Sequence, residues 1–200
     1  MASRTDLAHA LRAALSVLLL ALAPGRAAAS PVWEGTWWSL GGAYSSTKAD
    51  CRDCQNAEYI DSGSILGRGG YTVSPRVRIG GEITRTYRQD PGRPDGTLTT
   101  VSAITQWNMV RAVPIIIEVG YGVSRASYSI EEHGNVLTLH RNGIALNLGV
   151  GSEWPIGPID VGPYGAMYVG ALGDAQTSSG EVARDALVLS WFAGINFTIP

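Results

Sequence analysis

A chain of 200 residues with 45% hydrophobic side chains suits one domain and is too apolar to be disordered. Its formal charge of −2, with 16% charged residues, argues against a nucleic-acid binder, which needs a basic face. Two cysteines cannot build a disulfide-dense scaffold or a four-cysteine zinc site.

The first element is an address. Arg4 and Arg12 precede the apolar run of residues 13–23, and Ala27, Ala28 and Ala29 follow it. This layout predicts a signal peptide over 1–29, cleaved after Ala29, which leaves an exported domain over 30–200. The apolar run is too short to span hydrocarbon, and no later stretch reaches the length of a membrane helix. Any membrane span of the exported chain must then be made of strands.

After Ser30 the hydrophobic period is two rather than 3.6. Strands are predicted near 34–46, 62–73, 76–88, 97–108, 114–127, 142–154, 159–171 and 185–198. In the third, Val77, Ile79 and Ile83 oppose Arg78 and Glu82. In the fourth, Thr and Ser blur the alternation. In the fifth, Ile115, Ile117, Val119, Tyr121 and Val123 oppose Glu118, Gly120, Gly122 and Ser124, with Ile116 an exception. In the sixth, Ile144, Leu146, Leu148 and Val150 oppose Ala145, Asn147, Gly149 and Gly151. In the last, Leu187, Leu189, Trp191, Ile195 and Phe197 oppose Ser190, Gly194 and Asn196.

The connections alternate long and short. Long polar stretches run over 47–61, 89–96, 128–141 and 172–184, and short links fall at 74–75, 109–113 and 155–158. An up-and-down meander with large loops at one end and trimmed turns at the other gives this order.

With alternation, loop asymmetry and terminal strand in place, the chain resembles small eight-stranded outer-membrane β-barrels of the OmpA/OmpX type. Within that class, residues 37–54 ("WWSLGGAYSSTKADCRDC") and 63–85 ("GSILGRGGYTVSPRVRIGGEITR") are similar to a group of uncharacterised bacterial barrel proteins with a C-x-x-C first loop. That group's second hairpin matches at Gly69, Gly70, Pro75 and Gly80, with one extra residue, Gly81, before Glu82. The resemblance implies an all-β, eight-stranded antiparallel transmembrane barrel in the bacterial outer membrane and brings no activity. In such proteins the last strand is read by the assembly machinery. Gly194, Phe197 and Ile199 fit that spacing, whereas Pro200 and the aliphatic Ile199 depart from the usual terminal aromatic.

In such a barrel the apolar face points to lipid. Trp38, Tyr44, Tyr71, Trp107, Tyr121 and Trp191 are then candidates for the aromatic girdles. Arg68, Arg78, Glu82, Glu118, Asn147 and Glu153 fall inward. Opposite charges sharing one lumen pair, so this set reads as a structural polar network, with a proton or ion path as the alternative. The many strand glycines suit tight curvature and aromatic packing.

Cys51 and Cys54 form C-x-x-C in the first long connection, and export favours a disulfide between them. Metal binding with His133 and His140, or redox catalysis, are the sharper alternatives. A triad of His133 or His140 with Ser129 and Glu131 or Glu132 would serve a lipid-modifying enzyme, but any polar loop offers those residues. No enzyme activity and no cofactor are expected. The first reading is a structural, envelope-integrity or surface-interaction barrel. Its expected partners are outer-membrane lipids and lipopolysaccharide, reached through divalent cations on loop carboxylates, and the barrel-assembly machinery. A narrow channel for small or apolar solutes, a lipid-modifying barrel and a soluble ligand-binding barrel are the alternatives. Alternation alone does not say which face is inside. The single lysine, Lys48, is few for a water-facing surface.

Overall fold

A computed structural model describes residues 33–51, 59–88, 96–110, 113–132, 135–173, 175–177, 180–183 and 186–200. The expected signal peptide and Cys54 lie outside the described residues, as does the side chain of Cys51.

The described residues form the strands β1 (Thr36–Cys51), β2 (Ile60–Ser74), β3 (Val77–Arg88), β4 (Gly96–Val110), β5 (Val113–Glu132) and β6 (Asn135–Ser152). They continue with β7 (Trp154–Ile156), β8 (Ile159–Leu172), β9 (Ala175–Thr177), β10 (Gly180–Ala183) and β11 (Ala186–Ile199). β1 to β6, β8 and β11 each pair antiparallel with their neighbours, and β1 pairs with β11 to close the sheet. The result is an all-β, eight-stranded up-and-down barrel. The three short strands are appendages: β7 pairs with β8 at one end, and β9 and β10 pair with each other at the other.

Closure carries a stagger. From Trp38 the ladder runs through Gly69, Gly81, Ala103, Tyr121, Leu146, Val169 and Leu189, and returns to β1 at Lys48. A shift from position 38 to 48 around eight strands tilts them by about 40°. The start of β1, the end of β11 and the tight connections at Pro75–Arg76 and Gly157–Pro158 lie at one end, here called the turn end. Gly157 takes φ 66° there, a left-handed geometry open to glycine without strain. The strand ends that flank the long connections lie at the opposite, loop end.

The predicted strands coincide with the eight barrel strands, including 97–108, where Thr occupies both faces. The difference lies at 128–141, read as a polar connection. There β5 and β6 continue pairing from Tyr128↔Leu139 to Glu132↔Asn135, so most of the stretch is a protruding hairpin. Continued cross-strand hydrogen bonding sustains these strands beyond the region where hydrophobic alternation marks them.

The barrel is inverted relative to a water-soluble protein. Leu40, Ile65, Ile83, Val101, Tyr121, Val123, Ile144, Leu146, Leu187, Ile195 and Phe197 are all exposed on the outer wall. The buried set is dominated by Ser, Thr, Asn, Gln, Arg and Glu. On β5 the apolar wall runs from Ile115 to Val123, which spans roughly 20 Å along the barrel axis at this tilt. That approaches the apolar band of transmembrane barrels. Of the girdle candidates, Trp38, Tyr44, Tyr71, Tyr121 and Trp191 are exposed on this wall and Trp107 is half-buried.

Glycines fit the walls together. A Cβ on Gly69 would stand 2.5 Å from the Trp38 ring, so the indole lies directly on that glycine across the strand pair. On the inner wall a Cβ on Gly149 would stand 2.6 Å from the Tyr164 hydroxyl.

Candidate functional site

Among the described residues, charged side chains are gathered out of solvent in the interior. Period-two geometry aims Arg68 from β2, Glu82 from β3, Gln106 from β4, Glu118 from β5, Asn147 from β6, and Tyr164 and Tyr168 from β8 into the same layer. Arg68 Nε donates to Glu82 Oε2 at 2.6 Å and lies 3.3 Å from Glu118 Oε2. Asn147 Nδ2 bridges both carboxylates, at 3.2 Å to Glu82 Oε1 and 3.3 Å to Glu118 Oε1. Gln106 Nε2 donates to Glu118 Oε2 at 2.8 Å, and the Tyr164 hydroxyl donates to Glu118 Oε1 at 2.8 Å. The Tyr168 hydroxyl donates to Glu82 Oε1. The Arg68 guanidinium also stacks 3.8 Å over the Tyr164 ring.

This layer holds one cation and two carboxylates. The neutral donors Gln106, Asn147, Tyr164 and Tyr168 serve the carboxyl oxygens that one guanidinium cannot satisfy, because an unpaired polar atom inside a low-dielectric wall is costly. Gly149 and Gly120 make the room: a side chain on the first would meet Tyr164, and one on the second would meet Asn147.

A second layer sits at the turn end. Arg78 Nη1 donates to Glu153 Oε2 at 2.9 Å, and Thr198 Oγ1 donates to Glu153 Oε1 at 2.8 Å. The guanidinium is covered by Trp33 at 4.0 Å and Trp37 at 5.3 Å, both almost fully buried. Glu153 lies between β6 and β7 rather than on the predicted strand, yet points inward.

Toward the loop end the lumen holds hydroxyl pairs. Ser64 bonds Ser45 at 2.9 Å and Thr86 at 2.8 Å, Thr100 bonds Ser124 at 2.8 Å, and Thr47 bonds Ser190 at 2.9 Å. Above them Ala126, Leu172, Ala186 and Val188 pack together, with Leu98 against them. A cavity of about 10 Å³ between these two groups is at the threshold for one water molecule.

The six residues predicted to face the lumen are thus all buried, but in two separate clusters: Arg68, Glu82, Glu118 and Asn147 in the centre, Arg78 and Glu153 at the turn end. The sequence reading missed Gln106, Tyr164, Tyr168, Trp33 and Trp37. Tyr164 and Tyr168 share a phase with Ala166 and Gly170 on β8, a signal that would have placed them inward. Trp33 and Trp37 precede or open β1, where no alternation yet marks a face.

The remaining chemistry is sparse. His140 is exposed, and its Nδ1 lies 3.0 Å from Ser127 Oγ on the outer wall. Ser129 is paired with Thr138 instead. His133 and the side chains of Glu131 and Glu132 lie outside the described residues. Among the described residues no three metal-ligating side chains come together.

The comparisons with known proteins bear on the fold. Neisserial surface protein A (NspA) superposes with a TM-score of 0.55 at 16% identity, over 82% of this chain and 98% of that one. Ail, the attachment invasion locus protein of Yersinia pestis, superposes with a TM-score of 0.58 at 13% identity, over 83% of this chain and 99% of that one. No family model and no curated protein matches the sequence. The chain has the fold of the small eight-stranded outer-membrane β-barrels. Its inverted surface is that of a barrel that crosses a membrane.

Proposed function

We propose that the protein is an outer-membrane barrel with an occluded lumen, serving as a structural or surface-interaction element of the envelope. The observation that carries this reading is the pairing of an apolar outer wall with an interior closed by hydrogen-bonded layers. Side chains of Arg68, Glu82 and Glu118 are at most 2% exposed, so a solute reaches them only if the network opens. An eight-stranded barrel has an interior that side chains can fill, and here they do. What such a barrel offers its surroundings is its outer wall and its loop end. The names of NspA and Ail, a surface protein and an attachment protein, support the same direction. The lipids of the outer membrane and the machinery that assembles barrels are its proposed partners.

The test is outer-membrane fractionation, gel mobility before and after boiling, and conductance of the refolded protein in planar bilayers. Enrichment in the outer-membrane fraction, a heat-dependent mobility shift and a silent bilayer are expected. A soluble periplasmic protein without a shift overturns the membrane reading. Steady conductance by inserted protein overturns the plug and favours the narrow channel.

A further inference from the structure

On the wall formed by β3, β4, β5 and β6 the apolar surface stops abruptly. Its last row toward the loop end is Ile83, Val101, Val123 and Ile144, direct neighbours across the four strands. The next outward row is Arg85, Thr99, Arg125 and Asn142, in the same cross-strand register. The row beyond that is Tyr87, Thr97, Ser127 and His140. Arg85, Arg125, Asn142 and His140 are exposed.

Two features make these rows more than a solvated rim. First, among the described residues neither arginine has an acidic partner; Arg85 lies 5.1 Å from the Tyr87 ring. Asp61, an exposed acid toward the loop end of neighbouring β2, is bonded to Tyr44. Second, the arginines are two strands apart, about 10 Å, with the Thr99 hydroxyl between them. That span suits one or two phosphate groups, which guanidinium groups bind in a planar, paired geometry.

We infer that Arg85 and Arg125, with Thr99 and Asn142 beside them, clamp the phosphate of an anionic outer-leaflet lipid whose acyl chains lie on the Ile83–Val101–Val123–Ile144 row. Continuity with the apolar wall selects the occupant. A ligand that places fixed negative charge one pleat beyond a lipid-covered surface is an amphiphile, not a free anion. The inference rests on the membrane reading above and supplies it with a specific partner chemistry.

The experiment uses the refolded full barrel in phosphatidylcholine nanodiscs doped with lipid A, with retained lipid A counted by native mass spectrometry. R85Q/R125Q should retain lipid A roughly tenfold less well than the parent, R85K/R125K should recover part of the loss, and K48Q on β1 should leave retention unchanged. Equal retention by the parent and R85Q/R125Q overturns the inference, as does displacement of lipid A by millimolar inorganic phosphate. The heat-dependent mobility shift is read on every variant. A parent without that shift defeats the membrane reading itself, whereas a parent that shifts and retains lipid A indifferently defeats only the clamp.

Discussion

Arg68 is the residue on which the interior turns. It is the single cation of the central layer, set between Glu82 and Glu118 and stacked on Tyr164. Replacing it with methionine leaves two buried carboxylates facing each other and should destabilise the barrel by about 3–5 kcal/mol. E118Q removes one of the two acids and keeps one acceptor, and the Gln106 amide can turn its oxygen toward the new NH2 group, so it should cost less, about 1–3 kcal/mol. Denaturant unfolding in lipid vesicles checks the order, and E118Q costing more than R68M would refute this account of the charge balance. Gly149 is the second lever. G149A drives a methyl against Tyr164 and should cost about 1–3 kcal/mol. Adding Y164F should give a double variant less destabilised than the sum of the singles, since the closest atom is then gone. The inward phase of Arg68, Glu82, Glu118 and Asn147 was legible from period-two alternation. The part played by Tyr164 was not, because an aromatic side chain fits either wall of a barrel.

At the scale of the strand, the inversion makes a sharp prediction. Leu146 lies in the apolar wall and is 61% exposed. L146R should cost about 2–4 kcal/mol in a bilayer, while T97R, two rows beyond the apolar wall and paired with Tyr87 and Ser127, should cost about 0–1 kcal/mol. The same unfolding measurement in vesicles reads both, and a neutral L146R would mean that the wall faces water. Strand positions were readable because each residue added to a strand reverses the side it faces, so hydrophobic pattern and backbone geometry share one period. The extension of β5 and β6 to Glu132 and Asn135 was not, because the polar stretch 128–141 shows no clean alternation although backbone pairing continues through it.

For the whole molecule the decisive contact is between first and last strands. Tyr44 is paired with Ala193 although they are far apart in sequence. On a background lacking Cys51 and Cys54, Y44C/A193C should oxidise to a cross-link that persists after boiling in the absence of reductant. An open sheet would keep the two thiols at opposite edges and yield none.

From residue order alone come the number of strands, their phase, the alternation of long and short connections, and the set of side chains opposite the apolar face. These are local properties, fixed by a two-residue period and by turn chemistry. The chain order does not state which face is inside, because reversing a barrel's curvature leaves every alternation unchanged. Nor does it pair Arg78 with Glu153, or Tyr168 with Glu82, which lie far apart in the sequence. Those contacts exist only once β1 meets β11 and the stagger of the closed ladder brings distant strands to one height. Closure also divides one inward-facing polar set into two layers, since height along the barrel depends on register around the whole circle.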